Sequence, residues 1–359
     1  MVDMIFYRDE KYKFNEIFNE KNGLLLRTNI LSEEGIETKN KSYMRSFPEL
    51  MDIGIMGSCH VYKKYCKKFG IECYQVKDCL DMSIELYENI IHQCKGKVFQ
   101  VALGGKGDPN KHKDFKKILK ITRENNIVPN LTTTGINITD EELKLIKKYA
   151  GAVAISLYSK LNENLEEDNI ECINSINKMI DNKITTNIHY VINNNTIEDA
   201  IKRLKNNKFP KGINAIIFLL YKRKNELINI DKVKISEFFY LINKNTYNFK
   251  IGFDTCFSPL IRQFLIKAEK RSIEECEAAR FSCYISSKGI LYPCSFIQDN
   301  KYGIDLKDMS ILDAWNSNKM NEFRKLNSEK CRNCTKNNKC FFGCKYNLNQ
   351  YICNRNIKK

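Results

Sequence analysis

The sequence predicts an α/β protein: a parallel β-sheet wrapped by helices, followed by a cysteine-rich segment. Two observations carry this. Short apolar runs of β type alternate with charged segments of helical periodicity from about residue 52 to 254. Eight of the fifteen cysteines then fall between Cys276 and Cys353. Strand starts recur every ~25–45 residues, the length of a strand plus its crossover helix.

Taken in order, residues 1–50 form an N-terminal extension with one expected strand, "GLLLRTNI" (23–30). The sheet runs follow as "DIGIMG" (52–57), "VFQVALG" (98–104), "IVPNLTTT" (127–134), "AVAISLY" (152–158), "ITTNIHYVI" (184–192) and "INAIIFLLY" (213–221). Between them, "DMSIELYENIIHQC", "HKDFKKILKITREN", "DEELKLIKKYA", "ECINSINKMIDN" and "IEDAIKRLKNN" read as amphipathic helices. A seventh run, "FKIGFD" (249–254), closes a unit spanning 51–255. In the remaining 256–359, "FSCYISSKGILYPCSF" (281–296) reads as a hairpin turning at Ser287-Lys288-Gly289. The stretch "SILDAWNSNKMNEFRKL" (310–326) reads as one helix with Trp315 and Phe323 on its apolar side.

Composition narrows the class. Hydrophobic residues make up 43% of the 359, enough for a large core. No apolar run reaches membrane-spanning length, and the charged start "MVDMIFYRDEKYKF" lacks a signal-peptide core. The expectation is a cytoplasmic protein with no membrane partner. In a reducing compartment so many cysteines point to metal or redox chemistry rather than disulfides. The net charge of +16 is scattered ("KRK", "KKYCKK") and forms no stripe with interleaved aromatics, so it reads as solvated faces rather than a nucleic-acid surface.

In parallel βα barrels the chemistry sits at the C-terminal ends of the strands. Cys59, Cys66 and Cys73 follow the first run, Gly104-Gly105-Lys106-Gly107-Asp108-Pro109 the second, Thr134 of "TTTG" the third, and Ser156 of "SLYS" the fourth. Three thiols at intervals of seven are loosely spaced for zinc, and by themselves could be cluster ligands or buried thiols. Glycines permit close backbone approach, and Asp108 offers a carboxylate to a cation.

The C-terminal block reads Cys276-x12-Gly289-x4-Cys294, then Cys331-x2-Cys334-x5-Cys340-x3-Cys344 and Cys353, with Cys283 inside the first interval. Eight thiolates divide into two sets of four, the number two iron–sulfur clusters require; soft sulfur donors also suit zinc. The block resembles the SPASM domain, the C-terminal extension of many radical S-adenosylmethionine enzymes, and meets its spacing at every interval. That resemblance implies a partial (β/α)6 TIM-like barrel with a C-terminal SPASM domain. It implies a first auxiliary cluster on Cys276, Cys294 and Cys344 with Cys283 as fourth ligand, and a second on Cys331, Cys334, Cys340 and Cys353. It also implies a third 4Fe–4S cluster on Cys59, Cys66 and Cys73, with one iron open to S-adenosylmethionine. The wide spacing departs from the family's usual C-x3-C-x2-C, and "SFPELMDIGIMG" with "FQVALGGKGDP" resembles a subgroup with a lengthened loop. Gly104, Gly105 and Asp108 match the family's GGEP motif, which holds the methionyl group. Ser156 matches its ribose-binding serine, and Thr134 the place of a frequent asparagine.

The implied activity is reductive cleavage of S-adenosylmethionine to a 5′-deoxyadenosyl radical, which takes hydrogen from a ribosomally made peptide. The implied partners are that peptide and a flavodoxin- or ferredoxin-type electron donor. Sulfatase-type maturation is the nearest alternative, although Ser295 stands where those enzymes carry aspartate. A basic zinc protein binding nucleic acid through 331–353 is the alternative from another class. Of the four histidines, His112 beside the glycine turn is the one to test. Cys94, Cys172 and Cys256 read as buried thiols, and Cys79 lies at the start of the first amphipathic helix.

Overall fold

The computed structural model describes residues 4–30, 44–59, 79–157, 170–222, 230–267, 273, 276–326 and 344–345. Cys66, Cys73, Cys331, Cys334, Cys340 and Cys353 lie outside the described residues.

Strands β1 (Met4–Asp9), β2 (Phe14–Asn19) and β3 (Leu25–Asn29) form an antiparallel sheet in that order. The sequence leads one to expect a single strand here. Glu16 hides β2, because it occupies an inner-face position between Phe14 and Phe18 and breaks their apolar alternation. Its carboxylate is fully buried 2.8 Å from Arg45 Nε, also fully buried. Arg27 Nε donates to Glu49 Oε2 at 3.0 Å, and its guanidinium lies 3.9 Å from the Phe281 ring centre. Burial, with Glu49 alongside, pushes the Glu16 carboxyl above the usual range while Arg45 and Arg27 pull it down. Phe18 stacks on Phe99 at 5.3 Å, so this small sheet packs where the long sheet's strands begin.

Among the described residues the long sheet has ten strands. Seven are parallel neighbours in chain order: β4 (Leu50–Met56), β5 (Gln100–Gly105), β6 (Val128–Thr133), β7 (Val153–Leu157), β8 (Thr186–Ile192), β9 (Ala215–Leu220) and β10 (Lys250–Phe253). Between them run α1 (Ile84–Cys94), α2 (Phe115–Glu124), α3 (Asp140–Tyr149), α4 (Ile170–Asp181), α5 (Ile197–Asn206) and α6 (Lys232–Lys244). The crossovers are the reason consecutive strands can be parallel. Local chemistry marks the helix ends. Thr139 and Glu142 form a reciprocal capping box at α3, and Asn207 ends α5 in the left-handed region.

Period-two alternation sorts the strand residues onto two faces. Ile53, Leu103, Leu131, Ile155, Ile188 and Phe218 are buried in the main core. Asp52, Asn130, Ser156, His189 and Ile217 alternate with them on the inner face.

The hairpin β11 (Ser282–Ile285) and β12 (Ile290–Tyr292) turns at Gly289, φ +79°, as its sequence predicts. It does not stand apart from the barrel strands. β11 pairs parallel with β4, Tyr284 opposite Asp52, and β13 (Ile304–Asp305) extends the sheet beyond β12. After α7 (Ser258–Phe264) and these strands, the expected single helix is two, α8 (Ile311–Asn316) and α9 (Asn318–Arg324). Ser317 ends the first in an extended conformation and caps the second by accepting from Met320 N–H, which a sequence period cannot reveal. Trp315 is buried, and its indole N–H donates to the Arg45 carbonyl at 2.9 Å. Among the described residues no helix is long and apolar enough to cross a membrane.

Candidate active site

The C-terminal end of β4 opens the cysteine loop at Cys59, and the chain returns beside it. Cys79 N–H donates to the Gly57 carbonyl at 3.0 Å, and Gly57 N–H donates to Asp81 Oδ1 at 2.7 Å. The loop therefore starts and finishes at one point on the rim. A side chain at Gly57 would place Cβ 2.1 Å from the Cys79 carbonyl oxygen, so this closure requires glycine. Cys79 Sγ lies 3.3 Å from Ser287 Oγ and 3.6 Å from Lys106 Nζ, which puts a further thiol on the rim that its place before a helix conceals.

The second element packs against the first through backbone. Gly105 has φ +113°, and a Cβ there would lie 2.7 Å from Gly54 Cα; one at Gly107 would lie 2.2 Å from the Ser58 carbonyl oxygen. Asp108 is buried and accepts from Thr134 N–H at 2.7 Å and Thr134 Oγ1–H at 2.6 Å. Two residues singled out separately in the sequence thus form one unit joining the ends of β5 and β6. Ser156 lies near the end of β7, in register with His189 of β8.

His112 has both ring nitrogens committed. Nδ1 accepts from Asp114 N–H at 3.1 Å, so Nε2 carries the proton it donates to the Met82 carbonyl at 2.9 Å. Its place is structural. The inner face offers titratable groups that sequence patterning could have found from strand alternation. Burial raises Asp52 to about 6 against the opposing pull of Lys222, and burial lowers His189 to about 4.

The C-terminal cysteines separate sharply. Cys276 and Cys294 lie within electrostatic reach of each other, and Cys256 acts on both. Cys344 makes a side-chain hydrogen bond with Cys256. Cys283 is 2% exposed, and the charged or ionisable groups acting on it are Cys94, Asp52 and Arg324. Lys222 Nζ lies 2.8 Å from Asp254 Oδ2 and 4.4 Å from the Phe296 ring centre. Burial opposes its charge, while Cys256, Asp254 and Cys294, in their anionic forms, outweigh burial and raise it above the usual range. Among the described residues no three acidic, histidine or cysteine side chains converge as they would on a single metal ion. A cubane takes one thiolate on each iron and so suits a wider arrangement.

Residues 276–335 match the SPASM family, an iron–sulfur cluster-binding domain. This segment is a SPASM domain. The whole chain has the fold of Streptococcus suis SuiB solved with S-adenosylmethionine: TM-score 0.71 at 17% identity, covering 98% of this chain and 97% of that one. SuiB solved with its precursor peptide SuiA matches at TM-score 0.70 and 17% identity, over 98% and 97% of the two chains. The protein anSMEcpe with bound AdoMet matches at TM-score 0.60 and 20% identity, over 85% and 88%. No curated protein sequence matches this chain.

The donor set of the SPASM domain fits an iron–sulfur cluster. Burial raises Cys276 and takes Cys294 to about 12, so both are protonated in the absence of metal. Ligation must therefore release protons as the sulfurs become thiolates. A buried ammonium, Lys222, already stands beside them to balance the added negative charge. At the rim, glycine backbone and the Asp108–Thr134 unit fit a zwitterionic ligand with an ammonium group.

Proposed function

We propose that this chain is a radical S-adenosylmethionine peptide maturase bearing three 4Fe–4S clusters. The observation that carries the reading is the meeting of the Cys59 loop, the Gly104–Asp108 turn, Thr134 and Ser156 on one rim of a barrel fused to a SPASM domain. Cys59, Cys66 and Cys73 would hold the catalytic cluster; Cys331, Cys334, Cys340 and Cys353 one auxiliary cluster; and Cys276, Cys294 and Cys344 the other. When bound, the catalytic cluster and S-adenosylmethionine supply reductive cleavage of the sulfonium carbon–sulfur bond and, through it, hydrogen abstraction from an unactivated C–H bond.

The chain's own residues bind and orient. Backbone groups of Gly104 and Gly105 would hold the methionyl moiety, where no Cβ intervenes. Asp108, which holds Thr134 in position, would offer negative charge to its ammonium, and Ser156 would bind the ribose. The inner face, with Asp52, Asn130 and His189, receives the substrate and excludes bulk water. A peptide substrate is supported by the precursor peptide bound to SuiB, a protein of the same fold. A flavodoxin- or ferredoxin-type protein would deliver the electron, and a cytoplasmic setting suits both the reduced thiols and that donor.

The test is anaerobic reconstitution of the full chain. It should bind roughly twelve irons, four per cubane, and release 5′-deoxyadenosine from S-adenosylmethionine under reductant. Joint replacement of Cys59, Cys66 and Cys73 by alanine should remove about four irons and all cleavage. A colourless protein carrying stoichiometric zinc would sink the proposal.

A further inference from the structure

We infer that Tyr284, carried on the SPASM strand β11, is a further residue of the S-adenosylmethionine site, where its hydroxyl binds the amino-acid end of the cofactor. This rests on the maturase reading above and deepens it.

Strand pairing sets the direction of the side chain. Tyr284 stands opposite Asp52 of β4 and opposite Tyr292 of β12. Its neighbours Cys283 and Ile285 belong to the main core, and successive side chains on a strand take opposite faces. Tyr284 is therefore on the inner face with Asp52, and it is buried there. From β11 its ring crosses β4 at Gly54. A Cβ on Gly54 would lie 2.4 Å from the Tyr284 hydroxyl oxygen, 3.1 Å from Cζ and 3.2 Å from Cε2. Gly54 is not among the glycines of positive φ, so its backbone does not call for glycine. The tyrosine does.

The hydroxyl ends beside the proposed cofactor turn. The same oxygen lies 3.8 Å from the place of a Gly105 Cβ, and Gly105 belongs to the Gly104–Asp108 turn assigned to the methionyl group. The ring is supported from the next strand. Tyr292 lies nearly parallel to it, 6.3 Å between ring centres at 27°. Tyr292 has a glycine gap of its own, since a Cβ on Gly303 would lie 2.9 Å from its Cε1. Two packed rings thus deliver one phenol to a stretch of backbone without side chains. The amino-acid end of the cofactor carries an ammonium and a carboxylate. Asp108 suits the ammonium, and the Tyr284 O–H suits the carboxylate as a donor. On this assignment the SPASM segment shapes the cofactor site through a side chain, independently of the clusters it would carry.

The experiment measures S-adenosylmethionine binding to the anaerobically reconstituted full-length chain by equilibrium dialysis, with iron content recorded for each variant. Tyr284→Phe should keep wild-type iron and weaken binding about tenfold, the loss expected for one hydrogen bond to a charged group. It should bind 5′-methylthioadenosine, which lacks the amino-acid end, as wild type does. Gly54→Ala should also weaken S-adenosylmethionine binding, by displacing the ring, yet add little to Tyr284→Leu. Should Tyr284→Leu fail to fold, Tyr284→Phe decides alone. Wild-type affinity in Tyr284→Phe, or equal weakening of both ligands, would overturn the assignment while leaving the maturase reading intact. A wild-type chain that takes up iron but binds no S-adenosylmethionine would overturn that reading and this inference with it.

Discussion

Cys94, Cys172 and Cys283 differ from Cys256, Cys276 and Cys294 in burial and in the groups beside them, not in residue type. The first three are at most 2% exposed and packed in the core, and Cys94 donates its thiol hydrogen to the Ile90 carbonyl at 2.9 Å. The second three are half-buried at the edge of that core, where Lys222 and Cys344 approach them. Burial raises the thiols on both sides, so acidity does not distinguish them. What distinguishes them is company. A thiol surrounded by hydrocarbon stays a small hydrophobe, whereas several thiols facing a buried cation can exchange their protons for metal.

The largest expected effect tests that division directly. Replacing Cys276 and Cys294 together by alanine should remove about four irons per chain, while replacing Cys94 and Cys172 together should leave iron unchanged. Iron assay after anaerobic reconstitution decides between them, and equal losses would erase the comparison.

Next in size is Lys222→Met. It leaves the Asp254 carboxylate, 18% exposed, without its partner at 2.8 Å. Stranding half of a buried pair should cost about 3 kcal/mol in denaturant unfolding. The same change should lower the reduction potential of the adjoining cluster, since a positive charge that favours the reduced form is gone. A Lys222→Met protein with unaltered potentials would separate this lysine from the sulfurs.

His189 extends the rule to a group that gains charge on protonation. Burial lowers it from 6.5 to about 4. The unfolded chain therefore binds more protons between those values, and the folded protein loses stability as pH falls through that window. Between pH 7 and 5 the loss from this group should be about 2 kcal/mol. His189→Gln should abolish that portion, read as the change in denaturation midpoint between the two pH values; an unchanged pH dependence would exclude His189 as its source.

The smallest effect belongs to the packed thiols themselves. Cys94→Ala should cost about 1 kcal/mol through lost packing. S-adenosylmethionine cleavage should be unaffected. A stability loss with intact iron would sharpen the comparison, and loss of iron would break it.

Much of this was legible in the chain. Alternation of apolar runs and helical segments determined the parallel sheet, because strand and helix periods are local properties of the sequence. The glycines at 105 and 289 marked a close approach and a turn, since the backbone there takes positive φ. The SPASM spacing identified its own segment. Tertiary structure alone decided the rest. Glu16 disguised β2 because its burial depends on Arg45, far along the chain. Ser317 divided one helical pattern in two by capping. Asp108 met Thr134 only because their strands lie side by side. Sequence distance measures separation along the chain, whereas ligation depends on which strand ends adjoin and which face each side chain takes once the sheet has formed.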